Sequence, residues 1–176
     1  MTAPLPETTE LNLRLARQGD LAAIVAIYNA AIPGRQATAD TSPVSVEDRL
    51  QWFADHQVPE RPLWVATPLG DDDAVLGWAS FSTFYGRPAY RGTVELAVYV
   101  APDAQGRGIA KALVKQLLIQ APALHIHTVL GYVFSHNHPS LALLTGMGFE
   151  PWGQLPHVAV LDDQHRSLTI VGKKIA

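Results

Sequence analysis

The chain has 176 residues, 48% of them hydrophobic and 16% charged, with no cysteine. That balance excludes general disorder and leaves enough apolar side chain for one domain with a sizeable core. The lack of cysteine excludes disulfides, thiolate nucleophiles and Cys-based metal sites, and a net charge of −3 leaves no basic field for a nucleic acid backbone.

Met1 to Glu10 is Pro/Thr-rich and acidic, without the basic and apolar regions of a signal peptide, and reads as a flexible tail before a domain over residues 11–176. Leu11 to Leu15 alternates apolar and polar residues and predicts a half-buried strand. Asp20 is a candidate N-cap for a helix with Leu21, Ile24, Ile27, Tyr28 and Ala31 on one face, stopped by Pro33-Gly34. This apolar stretch is too short to span a bilayer, so a cytoplasmic protein without membrane partners is expected. Ser45-Val46-Glu47-Asp48 reads as a capping box opening a second helix through Trp52 and Phe53 to about His56.

Past Pro59 and Pro62 the period changes. Strands are predicted over residues 63–67, 74–84 and 93–100, the first two joined by a Gly70-Asp71-Asp72 turn. A helix follows over 108–120, a strand over 125–134 and a short helix over 139–147. Strands over 149–155, 158–161 and 168–172 close the chain around an Asp-Asp-Gln-His turn. The order βααβββαβαββ, hairpins first and crossovers later, predicts an α/β (α+β) domain with a mixed sheet.

One segment carries chemistry. In residues 98–111 an apolar strand runs into a turn with Gly106 and Gly108, and a helix starts at once. Glycines let the backbone turn sharply, and the free N–H groups of a first helical turn favour a shared anion such as a pyrophosphate. A magnesium-binding hydroxyl of the Walker type is missing at Ala112, and the third glycine of a dinucleotide fingerprint is replaced by Lys111. Gln105-x-x-Gly108-x-Ala110 after Val98-Tyr99-Val100 resembles the coenzyme A motif of the GNAT acetyltransferases. Asn137-x-Pro139-Ser140 with Thr145-Gly146-Met147-Gly148-Phe149 is similar to that superfamily's second cofactor segment. Ile27-Tyr28-Asn29, Pro43 to Arg49 with Trp52-Phe53, and Arg87-x-Ala89-Tyr90-x-x-Thr93-Val94-Glu95 resemble the phosphinothricin acetyltransferase-like branch.

The resemblance implies a GNAT fold, with about seven strands in a mixed central sheet and helices on both faces. It also implies acetyl coenzyme A as cosubstrate, no metal, a small-molecule amine as acceptor and a homodimer. Val98, Tyr99 and Val100 would meet the pantetheine arm. Gln105, Gly106, Arg107, Gly108, Ile109, Ala110 and Lys111 would hold the pyrophosphate, and Asn137 and Ser140 would complete the cofactor site. Glu95, an ionisable group in an apolar strand, would be the general base that takes a proton from the acceptor amine; the alternative is a surface glutamate paired with Arg91. Arg87, Tyr90, Phe84 and Tyr85, with Phe81 and Trp52, are candidates for an acceptor pocket in which the arginine holds a carboxylate. Many superfamily members protonate the departing thiolate with a tyrosine five residues before the phenylalanine of Gly148-Phe149, but Leu144 stands there. His125/His127 and His136/His138 could ligate zinc if the pairs met, but no carboxylate pattern accompanies them. A protein or peptide acceptor and a non-catalytic coenzyme A sensor are the other functions weighed.

Overall fold

A computed structural model describes residues 10–176, and the predicted tail up to residue 9 lies outside the described residues. Seven strands form one sheet in the order β1-β2-β3-β4-β5-β7-β6. They are β1 (Leu11–Leu15), β2 (Leu63–Pro68), β3 (Gly77–Thr83), β4 (Thr93–Val100), β5 (Thr128–Phe134), β6 (Glu150–Leu161) and β7 (Gln164–Lys174). Four α-helices accompany them: α1 (Leu21–Ala31), α2 (Leu50–Asp55), α3 (Ile109–Gln120) and α4 (His138–Gly146). The predicted order βααβββαβαββ is the observed one, with the two short strands expected over 149–155 and 158–161 joined in β6.

Every neighbouring pair is antiparallel except β4 and β5, which are joined through the α3 crossover. Each face of the sheet buries its own cluster. On one, Leu113, Val114 and Leu117 of α3 pack with Phe81, Val94, Val129 and Phe149. On the other, Leu21, Ile24 and Ile27 of α1 and Phe53 of α2 pack on Val65 and Trp78. Full burial of side chains of this size stabilises by about 1.5–3 kcal/mol each. Phe81, a sequence candidate for the acceptor pocket, is fully buried in the first cluster and lines no pocket there.

Local chemistry explains where the elements depart from expectation. Asp20 is no cap for α1; its buried carboxylate accepts the Arg17 N–H at 2.6 Å and both terminal nitrogens of Arg14 at 2.7 and 2.9 Å. Ser45 and Asp48 do exchange the two hydrogen bonds of a capping box, at 2.9 and 3.1 Å, ahead of a 3₁₀ turn that leads into α2. β5 starts at Thr128 because Ala121–Leu124 form a 3₁₀ turn and His125 takes φ 57°, a left-handed conformation that ends it. The two strands expected before the last turn are one strand, β6. Its register slips between Leu155 and Ala159, where His157 sits at φ 52° and donates its N–H to Ser167 Oγ at 3.1 Å. Asp162 and Asp163, both at positive φ, make the tight turn into β7.

Candidate active site

The site originates in a failure of pairing. β4 and β5 are in register only from Thr93 opposite Thr128 to Glu95 opposite Leu130. β4 continues to Val100 along β3 and β5 continues to Phe134 along β7, so the two strands diverge beyond Glu95 and the β5 side of Leu96–Val100 has no strand partner.

Three cavities that share lining residues of β4 lie in or beside this opening. The largest, about 820 Å³, lies between the free part of β4 and the start of α3. It is lined by Val98, Tyr99, Val100, Gln105, Gly106, Gly108, Ile109, Ala110, Lys111, Asn137 and Ser140. Gly106 and Gly108 have φ of 76° and 77°, and a Cβ on either would meet no atom within 4 Å. α3 has no side-chain cap, and the N–H of Ala112 is the first to bond back, to Gly108 O at 3.1 Å. The N–H groups of its first turn are therefore free at the positive end of the helix dipole. Open space, uncapped donors and left-handed glycines fit a pyrophosphate. Arg107 lies outside the cavity lining; its guanidinium donates to Asp103 O at 2.8 Å. Asn137 caps α4, accepting the Ser140 N–H at 3.3 Å and donating to Gln36 O at 3.2 Å, so its amide is already engaged.

A second cavity of about 470 Å³ fills the fork between Glu95–Tyr99 and Gly131–Phe134. A third, about 240 Å³, lies on the α1 face and is walled by Tyr28, Trp52, Trp78 and Tyr99. Alternation along β4 puts Glu95, Ala97 and Tyr99 on one face. Glu95 lines both of these cavities and so stands between them. It is half-buried, and burial raises its carboxyl above the usual range. Among the described residues it forms no salt bridge, and Arg91 is exposed.

Side chains from other elements complete the walls. Trp78 stacks on Tyr99 with centroids 4.9 Å apart, and Trp52 meets Trp78 edge-on at 5.3 Å. Tyr28 donates to Asp40, Arg49 lies 4.8 Å over the Tyr28 ring, and Arg49 pairs with Asp40 at 3.2 Å. Trp78 Nε1 and Ser80 Oγ are buried without a partner in the same pocket. The loop after α1 crosses the opening, fastened by Tyr99 Oη to Ala37 O at 2.9 Å and by His136 Nε2 to Arg35 O at 2.8 Å. Tyr132 of β5 also lines the fork; burial and the Glu95 charge both raise its hydroxyl. Leu144 is buried and apolar.

Arg87, Phe84, Tyr85 and Tyr90 lie apart. The three rings form their own cluster, with centroids 5.5–6.3 Å apart, in the connection from β3 to β4. None of the four lines the three cavities. Trp78, Ser82, Tyr132 and His56 were missed. No local spacing marks them, because they come from β3, β5 and the end of α2. The histidine pairs sit at opposite ends of β5 and cannot share an ion. Among the described residues no group of three His, Cys, Asp or Glu could hold a metal.

The acetyltransferase (GNAT) family pattern matches residues 24–149. The chain belongs to the GNAT acetyltransferase family. It is thus an acyltransferase enzyme. YwnH of Bacillus subtilis is 43% identical over 166 residues, covering 94% of this chain and 100% of that protein. The L-methionine sulfoximine/L-methionine sulfone acetyltransferase of Pseudomonas aeruginosa is 35% identical over 147 residues, 84% of each chain. A GNAT superfamily phosphinothricin acetyltransferase from Sinorhizobium meliloti, solved with acetyl coenzyme A, superposes with a TM-score of 0.87 at 29% identity, covering 94% of this chain and 89% of that one.

Proposed function

We propose that this enzyme moves an acetyl group from acetyl coenzyme A to the primary amine of a small amino-acid-like substrate, by direct attack in a ternary complex. The observation that carries the proposal is the divergence of β4 from β5 directly after Glu95, which leaves one carboxylate between the fork cavity and a small aromatic pocket, with the open cleft at the start of α3 further along the same free strand. The cosubstrate supplies an activated thioester. The first turn of α3 with Gln105 to Lys111 holds its pyrophosphate, Arg107 and Lys111 adding charge at the rim, and Val98 to Val100 with Asn137 and Ser140 line its arm. The N–H of Val98 or Tyr99 donates to the oxyanion that forms on attack. Glu95 removes the ammonium proton, directly or through water. Leu144 offers no proton, so the thiol leaves as thiolate.

An amino-acid-like acceptor is supported by the pocket's small size and by relatives named for methionine sulfoximine and phosphinothricin. Arg87, with Phe84, Tyr85 and Tyr90, is assigned to the acceptor's approach, where a guanidinium holds a carboxylate. A homodimer is part of the proposal, supported by Trp152, Leu155, Val158 and Val160, which β6 leaves exposed at the sheet edge. The proposed compartment is the cytoplasm, where the cosubstrate is at hand.

Titration with acetyl coenzyme A by calorimetry, followed by a screen of amino acids and analogues for thiol release, tests this. Binding with release on one small amine is the expected result. Binding without release on any would favour a protein acceptor or a coenzyme A sensor, and no binding would overturn the assignment.

A further inference from the structure

Glu95 does not stand alone at its pocket. Ser82 lies directly opposite it in the β3–β4 register. Opposite residues of an antiparallel pair share a face, and both line the aromatic-walled cavity. Behind Ser82 is His56, a buried imidazole at the end of α2. Its Nδ1 is 2.7 Å from Trp52 O and its Nε2 is 3.0 Å from Ser82 Oγ.

These two contacts determine where the protons are. A carbonyl can only accept, so Nδ1 carries the hydrogen. Burial lowers the imidazole pKa below its usual value, which leaves Nε2 as a bare acceptor near neutral pH. Ser82 has one proton and commits it to His56. Its lone pairs remain for the pocket. A serine without that partner is free to turn its O–H toward the Glu95 carboxylate opposite it, which would stabilise the charged form of that group.

We propose, on the footing of the acetyltransferase function, that Ser82 and Glu95 together seat the acceptor ammonium, and that His56 is a positioning residue that keeps the Ser82 hydroxyl turned away from Glu95. The ammonium donates one hydrogen to the Ser82 oxygen and another to the carboxylate, which takes it. The amine lone pair left behind is then held in a defined direction for attack. The charged and titratable groups nearby are Tyr132 from β5 facing Glu95, Asp55 and Arg61 around His56, and Arg49 with Tyr28 and Tyr99 along the pocket. The variants below leave all of them in place.

The test compares Ser82→Ala, His56→Leu and the double variant by amine KM, kcat and the pH profile of kcat/KM, with acetyl coenzyme A affinity measured by calorimetry. Ser82→Ala should raise the amine KM roughly tenfold or more, as for one hydrogen bond to a charged group, at unchanged cofactor affinity. His56→Leu should raise it too and move the acid limb of the profile to lower pH, because the released hydroxyl donates to Glu95. The double variant should keep the raised KM and return the limb to its wild-type position. A wild-type profile for His56→Leu, or losses that simply multiply in the double variant, would overturn the role of His56. If His56→Leu does not fold, His56→Gln, which keeps an acceptor toward Ser82, should retain wild-type KM and profile, and a displaced profile there would refute the positioning. An unchanged amine KM in Ser82→Ala would overturn the seat by itself. Wild-type enzyme that releases thiol with no amine would instead refute the acetyltransferase function on which the inference rests.

Discussion

Replacing Glu95 by glutamine tests the base and its environment at once. The variant keeps shape and hydrogen-bonding capacity but cannot take a proton. Val98 lies three residues on, about 10 Å along an extended strand. The proposed seat at Ser82 and Glu95 puts the transferred proton in direct hydrogen bond with the carboxylate, on the same strand as the amide proposed for the oxyanion. General base catalysis contributes roughly 10²–10⁴-fold. A loss of about 10²–10⁴ in kcat is expected, the lower figure being about 2.7 kcal/mol of barrier. Affinity for acetyl coenzyme A should not change. Stability should move the other way. Burial raises the Glu95 carboxyl, so the folded chain favours the protonated form. Glu95 then stabilises only below the ordinary glutamate pKa, and that contribution is lost as pH rises through the folded value. A neutral amide avoids the penalty, so Glu95→Gln should melt above wild type at pH 8 and level with it near pH 4. Thiol release at saturating cosubstrate, calorimetry and melting curves at both pH values decide. Turnover within about threefold of wild type would remove Glu95 from the chemistry, and a lower melting temperature at pH 8 would refute the desolvation argument.

Gly108→Glu should abolish acetyl coenzyme A binding, because a carboxylate replaces open space at the helix terminus; Gly108→Ala should retain binding. Both variants carry a side chain at φ 77°, a cost of about 1–2 kcal/mol that melting curves would register. Asp20→Asn should cost about 1.5–3 kcal/mol, because the half-buried Arg14 guanidinium keeps its other acceptors, Leu15 O and Asp72 O, but loses its charged partner. Burial pushes the Asp20 carboxyl up, but hydrogen bonds from Arg14 and the Arg17 N–H outweigh it and hold it below its usual value. The wild-type advantage should therefore be present above the ordinary aspartate range and shrink as pH falls through the lower folded value, read as converging melting temperatures. Arg87→Ala should raise the amine KM with cofactor affinity intact. An unchanged KM would place the acceptor wholly in the cavities of the splay, away from the aromatic cluster.

The parts readable in the sequence are those built from contiguous residues. A strand, two glycines and a helix start occupy residues 98–111, and their geometry follows from the local backbone alone. Glu95 was conspicuous because it interrupts an apolar strand. Asp20 shows how one residue type serves two ends: it precedes a helix as a cap would, yet a half-buried arginine four residues before that helix's 3₁₀ lead-in takes its carboxylate. Ser82 gave no signal, since β3 is covered on both faces and its alternation is blurred. His56 looked like a helix-ending residue, and only the fold brings it to Ser82 across 26 positions. The aromatic residues around Arg87 were visible as a composition, but their cluster forms beyond the end of β3, clear of the cavities.

The unpaired length of β4 connects these observations. Strands normally satisfy their backbone groups in the ladder, and an open edge inside a sheet is costly without a ligand. Here pairing ends at Glu95, and the free edge, the uncapped first turn of α3 and the fork cavity all lie on the same side of that point. The carboxylate at the last paired position is therefore desolvated by sheet on one side and open to the fork cavity and the aromatic pocket on the other. Had β4 and β5 stayed in register to Val100, the fork cavity beside Glu95 would be closed, and the carboxylate would face the aromatic pocket alone. Had they parted before Thr93, water would surround the carboxylate and its pKa would stay ordinary. A carboxylate with a raised pKa beside an open backbone edge requires the strands to separate at this residue.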